Sequence, residues 1–131
     1  ATGLRGRWER LGERPFVVCD TGHNESGIAE VAAQIARQTY RKLYMVVGFV
    51  EDKDLSRVLP LLPRQAHYVF TKAGIRRALD ERELARRAAG YGLQGECVPT
   101  VNEALAWARE LAGPDDMIFI GGSTYVVAEV L

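Results

Sequence analysis

The chain has 131 residues, 47% of them hydrophobic and 26% charged, and its 17 basic residues balance its 17 acidic ones. This length and apolar content indicate one globular domain with a buried core, and the balanced charge does not favour nucleic acid or a membrane surface as a partner. No apolar run approaches the roughly 20 residues that cross a bilayer, and no charged-then-apolar leader opens the chain, so we expect a cytoplasmic protein.

Apolar runs typical of β-strands alternate along the chain with the spacing of amphipathic helices. The strands are predicted at residues 8–11, 16–20, 43–48, 66–71, 95–98 and 117–121. A first helix follows the second strand, with a buried stripe formed by Ile28, Val31, Ala32 and Ile35. Further helices are predicted at residues 54–62, 80–91, 101–112 and from 123 onwards.

This alternation is typical of a largely parallel sheet that helices cover on both faces. Only residues 12–15 separate the first two strands, too few for a crossover connection, so we expect an antiparallel hairpin at the sheet edge. The predicted fold is therefore α/β: a three-layer, Rossmann-like, mostly parallel six-stranded sheet with one antiparallel edge strand. Cys19 and Cys97 lie in strand-like runs, and we expect both to be buried and reduced, with no spacing for zinc.

The junction after the second strand brings together the residues best suited to bind a ligand. Asp20, His23 and the amides of their loop lie between a strand end and a helix start. Ligands bind at this edge of open α/β sheets, and a helix N-terminus there favours phosphate or carboxylate. The chain has no glycine fingerprint for dinucleotides, no P-loop, no serine elbow and no histidine-pair metal motif. The sequence therefore offers a binding junction without a complete catalytic set.

Five motifs, each at a predicted strand end or loop, resemble one family. They are Gly-Arg-Trp-Glu (6–9), Asp-Thr-Gly-His-Asn (20–24), Gly-Phe-Val-Glu-Asp-Lys-Asp (48–54), Arg-Ala (77–78) and Gly-Gly-Ser-Thr-Tyr (121–125), the last followed by residues 126–130. In this order they resemble the C-terminal domain of the folylpolyglutamate and dihydrofolate synthases, which are members of the Mur ligase superfamily. The resemblance spans nearly the whole chain and implies the fold of that domain.

The resemblance implies an ATP-dependent amide ligase that joins L-glutamate to dihydropteroate or to the γ-carboxyl of a folate through an acyl phosphate. In that family ATP and Mg²⁺ are held mainly by a larger N-terminal domain, which this chain lacks. Residues 1–131 are then one domain, with residues 1–5 as the end of an interdomain linker. We expect this domain to be inactive in isolation and the protein to be a monomer.

The resemblance also assigns roles to four residues. Arg7 and Asp20 match an arginine and an aspartate that reach the ATP, and no residue of this domain matches a metal ligand. His23 matches a histidine next to the incoming glutamate, where it binds that substrate and manages the proton of its amine. Ser123 matches a serine that binds glutamate. The structural alternatives are a solvated arginine, helix N-caps at Asp20 and Ser123, and a helix-terminal histidine.

Other residues allow a structural interpretation beside a functional one. Residues 51–54 form either a solvated turn capped by Asp54 or a loop that faces the ATPase domain, where Lys53 meets phosphate or a carboxylate. The arginines between 76 and 87 are expected to form a solvated face, His67 to be structural and Trp107 to belong to the core.

Two departures from the family pattern, Gly22 before the histidine and Glu25 after the asparagine, affect the loop and its charge. Two other functions stay open. The chain is alternatively a non-catalytic α/β docking module that uses Asp20, His23 and Ser123 only as helix caps, or the C-terminal domain of a peptidoglycan Mur ligase.

Overall fold

Six strands form one sheet in the computed structural model, which describes residues 5–131. They are β1 (Glu9–Glu13), β2 (Phe16–Asp20), β3 (Leu43–Val47), β4 (His67–Phe70), β5 (Gly95–Cys97) and β6 (Met117–Gly121). Their order across the sheet is β1-β2-β6-β3-β4-β5, with β1 antiparallel to β2 and every other neighbouring pair parallel. The predicted sheet with one antiparallel edge strand is confirmed. Of the predicted linker end at 1–5, only Arg5 lies within the described residues.

Four α-helices cover both faces of this sheet. They are α1 (Glu25–Ala36), α2 (Glu81–Ala89), α3 (Val101–Leu111) and α4 (Thr124–Ala128). Ile28 of α1 packs in a core on one face, and Ala104 of α3 packs in a core on the other. Consecutive residues of β2 alternate between the two cores, Val17 in the second and Val18 in the first, because successive strand side chains point to opposite faces. The predicted three-layer arrangement is confirmed.

The helix predicted at 54–62 is wrong: the chain forms two short 3₁₀ helices there, Leu55–Arg57 and Leu59–Leu61. Pro60 lacks the N–H that an α-helix would need at that position, which breaks the helix into two turns. Asp54 caps the first turn, accepting a hydrogen bond from the Ser56 N–H at 3.1 Å, as expected. Most apolar residues of the segment are nevertheless buried. Their spacing in the sequence therefore indicates which residues are buried, but it does not indicate the type of helix.

Two local predictions about the sheet edges need correction. β1 runs to Glu13, beyond the predicted end at residue 11, because its pairing with β2 continues past a bulge between Arg10 and Gly12. Cys97 is exposed since β5 is the outer strand of the sheet, so the expected burial is right for Cys19 and wrong for Cys97. Burial raises the pKa of the Cys19 thiol to about 11, which makes that thiol unreactive at neutral pH.

The structural interpretations of His67, Trp107 and the arginines fit the fold. Trp107 packs against the second core, and its ring lies 5.5 Å from the His67 ring. The arginines between 76 and 87 are exposed, and Arg86 and Arg87 pair with Glu83. Within residues 5–131, the helices are all too short or too polar to span a bilayer.

Candidate functional site

A cavity of about 440 Å³ opens beside the carboxyl end of β2. Its lining residues are Arg7, Trp8, Asp20, Thr21, Gly22, His23, Asn24, Ser26, Gly27, Glu30, Val31, Gln34 and Thr124. Arg7, from the segment before β1, therefore lies around the same cavity as Asp20 and His23 of the junction after β2. Ser123 is buried, and its neighbour Thr124 contributes to the lining.

Asp20 ends β2 as a buried carboxylate that joins two segments of backbone. Its Oδ1 accepts a hydrogen bond from the Gly22 N–H at 2.7 Å, and its Oδ2 accepts one from the Trp8 N–H at 2.8 Å. The N-cap of α1 is Asn24, whose Oδ1 accepts from the Gly27 N–H at 2.8 Å. Asn24 thus orders its loop through local backbone, as predicted, and the alternative of Asp20 as the helix cap is wrong.

Arg7 lies on a segment whose backbone is held in an uncommon conformation. Gly6 and Trp8, on either side of it, have φ angles of +79° and +47°. A positive φ is rare for a bulky residue such as tryptophan and is maintained only where neighbouring contacts impose it. Here the Gly6 carbonyl accepts from the Thr21 N–H at 2.8 Å, and Asp20 accepts from the Trp8 N–H. Arg7 itself is exposed and lines the cavity, so its backbone is held by these contacts while its side chain is accessible to a ligand.

His23 is exposed at the rim of the cavity, with one ring nitrogen already committed. Its Nδ1 lies 3.2 Å from the Thr21 carbonyl oxygen. A carbonyl oxygen only accepts hydrogen bonds, so Nδ1 carries the proton in this contact. In the neutral imidazole the lone pair is then on Nε2, the nitrogen that can accept a proton or a hydrogen bond from a ligand.

Ser123 begins α4 as its N-cap, with Oγ accepting a hydrogen bond from the Val126 N–H at 3.1 Å. The preceding Gly122 has a φ of +105°, and a Cβ there would lie 2.4 Å from the Gly48 carbonyl oxygen. Only glycine fits such a close approach of backbone. The doubled glycine of the sequence is therefore what lets the end of β6 pass the end of β3 and place Ser123.

Residues 6–124 match the family described as Mur ligase, glutamate ligase domain. The match covers most of the chain and includes all four predicted site residues. The chain belongs to this family. The family resemblance inferred from the motifs is confirmed.

Three known proteins illustrate the likeness. The domain is 39% identical to a Haloferax volcanii protein named bifunctional folylpolyglutamate synthase/dihydropteroate synthase, over 95% of this chain and 15% of that protein. It is 31% identical to Mycobacterium tuberculosis folylpolyglutamate synthase complexed with ADP and AMPPCP, with a TM-score of 0.83, over 95% of this chain and 31% of that one. At 24% identity it shares the fold of a bifunctional folylpolyglutamate synthase/dihydrofolate synthase with Mn, AMPPNP and L-glutamate bound (TM-score 0.88, 99% and 31% covered). The chain spans less than a third of each.

A second cavity, of about 500 Å³, shares His23 with the first. Lys53 lines it from the loop after β3 and is half-buried there. The loops that follow β2 and β3 therefore meet at one edge of the sheet, as the carboxyl ends of parallel strands do. This places the ammonium group of Lys53 on the same side of the domain as His23.

Glu25 is less disruptive to this site than its charge suggests. Its carboxylate lies 3.5 Å from the Arg57 guanidinium, which also lies 3.7 Å from Asp54. Both ion pairs are exposed, so they contribute little to stability, but they place a cation beside the added negative charge. The charge of Glu25 is thus partly offset within the second cavity.

Sequence reasoning missed several residues that line the first cavity. Glu30 and Gln34 are four residues apart on α1 and so lie on one helix face. Polar residues have this spacing on any exposed helix face, so the spacing does not indicate a site. Trp8 was recognised only as part of a motif and a strand start, and its positive φ has no signature in the sequence. Within residues 5–131, no group of three or more His, Cys, Asp and Glu residues is placed to hold a metal ion.

Proposed function

We propose that this domain forms the glutamate side of an ATP-dependent ligase that joins L-glutamate to dihydropteroate or to the γ-carboxyl of a folate. The observation that carries the proposal is the cavity that brings Arg7, from the segment before β1, together with Asp20 and His23 of the junction after β2. The family description supports glutamate as the amino acid, and the names of the relatives support a folate acceptor. Since the chain spans 15% and 31% of those relatives, the rest of the machinery is assigned to the parent protein.

The nucleotide is assigned to the side of the cavity formed by Arg7 and Asp20. ATP with Mg²⁺ would supply the phosphoryl group that activates the acceptor carboxylate as an acyl phosphate. The exposed Arg7 guanidinium offsets phosphate charge through charge-assisted hydrogen bonds. Each oxygen of Asp20 accepts one backbone N–H and keeps a second lone pair, which suits a ribose hydroxyl. Since no group of three or more His, Cys, Asp and Glu residues within 5–131 is placed to hold a metal ion, the Mg²⁺ ligands are assigned to the rest of the parent protein.

His23 is assigned to the amine of L-glutamate. In the ligation the amine nitrogen bonds to the activated carbonyl carbon, the bond from that carbon to the phosphate oxygen breaks, and the amine loses a proton. Since Nδ1 donates to the Thr21 carbonyl, neutral His23 presents the Nε2 lone pair to that amine. A positioned group that takes such a proton typically contributes about 10²–10⁴-fold to the rate.

Ser123 is assigned to the α-carboxylate of L-glutamate. Its oxygen accepts from the Val126 N–H, which leaves the hydroxyl proton to donate to a carboxylate. Ser123 is 5% exposed, so this contact requires the carboxylate to approach the start of α4 closely. The cap and the contact use different parts of one hydroxyl and are compatible.

The parent protein would be a cytoplasmic monomer in which residues 1–131 are one domain and residues 1–5 end a linker. A larger N-terminal domain would carry the P-loop and the Mg²⁺ ligands. Closure of the two domains over the cavity would shield the acyl phosphate from water. An isolated domain would then bind ATP or L-glutamate only weakly, because each ligand would find half its contacts.

The test is ATP-dependent incorporation of labelled L-glutamate by the full-length parent protein, with dihydropteroate and a folate offered as separate acceptors. The proposal predicts product with at least one acceptor, and none when ATP is omitted. Transfer of another amino acid to a nucleotide-linked acceptor would instead support the peptidoglycan alternative. Absence of any ATP-dependent transfer would support a docking module.

A further inference from the structure

The Asp20 carboxylate accepts hydrogen bonds from the residues that adjoin two proposed site residues, Arg7 and His23. Its Oδ2 accepts from the N–H of Trp8, which follows Arg7, and its Oδ1 accepts from the N–H of Gly22, which precedes His23. The two bonds are 2.8 and 2.7 Å long, within the range of short charge-assisted hydrogen bonds. One buried side chain therefore connects the segment that carries Arg7 to the loop that carries His23.

The segment before β1 depends on such connections. Trp8 has a φ of +47°, and the bulky side chain disfavours this conformation unless the surroundings impose it. Besides the bond to Asp20, the segment is joined to the loop by the Thr21 N–H, which donates to the Gly6 carbonyl at 2.8 Å. The Trp8 ring also packs 6.5 Å from Phe119. Asp20 is the only hydrogen-bond partner of the Trp8 N–H among the described residues. Loss of this bond therefore removes one of the contacts that maintain the positive φ of Trp8.

We propose that Asp20 is a positioning residue that fixes the spacing between Arg7 and His23, an inference that rests on the proposed ligase function. Its contribution to the reaction passes through both segments and is not limited to a hydroxyl of the nucleotide. A misplacement of about 1 Å at a reacting group costs roughly 10²-fold in rate, so loss of this connection has a large effect without any loss of a ligand contact.

Asp20→Asn is the informative variant, because an amide has one carbonyl oxygen and retains only one of the two bonds. Asp116→Asn is its matched control. Asp116 is also buried, and it also accepts two backbone N–H groups, from Lys42 at 3.0 Å and Gly113 at 2.7 Å, but it precedes β6 at the opposite end of the sheet. The same chemical change is thus made once at the site and once away from it.

Hydrogen–deuterium exchange of the full-length protein tests the positioning directly. Because Asp20→Asn keeps one of the two bonds, we expect it to accelerate exchange in at least one of the segments 6–9 and 21–24, and Asp116→Asn to leave both unchanged. Unchanged exchange in both segments of Asp20→Asn, or equal acceleration there in Asp116→Asn, would overturn the proposal. This readout does not require activity, so it stays decisive even if the parent protein ligates no glutamate and the proposed function fails.

A double-mutant cycle on kcat/KM tests whether Asp20 acts through its neighbours. We expect Asp20→Asn alone to lower kcat/KM by about 10²-fold, and by less once Arg7→Ala or His23→Ala has removed the group that it positions. Effects that multiply in both backgrounds to within about twofold would contradict the proposal.

Deoxy-ATP substrates separate positioning from direct contact. With 2′-deoxy-ATP or 3′-deoxy-ATP, wild type and variant both lack the corresponding hydroxyl contact, and we expect Asp20→Asn to stay about 10²-fold below wild type in kcat/KM with each of them. A variant as fast as wild type with one of these substrates would show that Asp20 acts only by binding the ribose, which overturns a positioning role.

Discussion

Two buried aspartates occupy opposite ends of the sheet and make contrasting sets of contacts. Asp20 ends β2, and Asp116 immediately precedes β6. Each accepts hydrogen bonds from two backbone N–H groups. Asp116 also forms an ion pair with Arg41 at 3.1 Å, whereas within residues 5–131 Asp20 has no ion pair and lines a cavity.

A buried aspartate that accepts two backbone N–H groups thus occurs in two different settings in this domain. At the amino end, burial works to raise the pKa of Asp116, but the Gly113 and Lys42 N–H groups and the Arg41 guanidinium outweigh it and hold that pKa below its ordinary value. Its charge is thus compensated by the fold itself. At the carboxyl end, Asp20 bonds the backbone of two segments and lines a cavity, where its remaining lone pairs are not used by an ion pair within residues 5–131.

The largest expected effect separates the two histidines of the chain, which lie at opposite ends of the sheet. His23→Ala in the full-length protein is expected to lower the rate of glutamate ligation by about 10²–10⁴-fold, because the amine loses its proton acceptor. The matched control is His67→Ala, which removes an imidazole that contacts Glu96 and Trp107 at the other end. Steady-state kinetics of both variants checks this, and equal losses in the two would contradict it.

Removal of the cation that faces the proposed nucleotide is expected to have a smaller effect. Arg7→Ala should reduce kcat/KM for ATP by about 10- to 100-fold, the equivalent of one or two hydrogen bonds to a charged group. Arg10→Ala is the control, since Arg10 is exposed on β1 and pairs with Glu13. Initial rates at varied ATP concentration measure the effect. An unchanged kcat/KM in Arg7→Ala would remove Arg7 from the nucleotide site.

The smallest effect concerns stability at the amino end. Asp116→Asn should lower the free energy of unfolding by about 1–3 kcal/mol, because the amide cannot satisfy both N–H groups and the Arg41 guanidinium. Urea denaturation of the full-length protein, followed through this domain's transition, measures that loss. A variant as stable as wild type would show that the contacts of Asp116 add nothing.

The pH dependence of that loss has a definite sign. The folded pKa of Asp116 is lowered, so its stabilisation is fully present above the unfolded value of about 3.9 and is lost as the pH falls through the folded pKa. Wild type and Asp116→Asn should therefore differ in stability near neutral pH and converge in acid. A difference that grows towards low pH would contradict this assignment.

The sequence predicted most of the architecture because the sheet obeys local rules. The continuous apolar run of β2 and the short connection at 12–15 were enough to predict a strand pair at the edge. The helix at 54–62 was wrong because apolar spacing does not distinguish an α-helix from two 3₁₀ turns, and Pro60 lies inside the second turn instead of ending a helix. Cys97 was misjudged because a strand-like run does not reveal which strand lies at the edge.

Three of the predicted site residues, Arg7, Asp20 and His23, line one cavity, but the bonds that connect their segments were not predicted. Asp20 was expected to reach a ligand or to cap a helix; the cap is wrong, and the prediction did not include the bond that its carboxylate accepts from the Trp8 N–H, twelve residues away in the chain. A bond between such distant residues depends on how the segment before β1 folds back, which no pattern within either segment encodes. The cap at Ser123 followed from its place before a helix and was predictable.

Ligation rate per folded molecule, measured for Asp20→Asn and Asp116→Asn in the full-length protein, tests the central claim most directly. The claim is that chemistry depends on the carboxyl end of the sheet, whereas Asp116 serves only stability. It predicts that Asp20→Asn is slower than wild type by about 10²-fold and that Asp116→Asn stays within about twofold of it. Equal rates in the two variants, or a larger loss in Asp116→Asn, would contradict it.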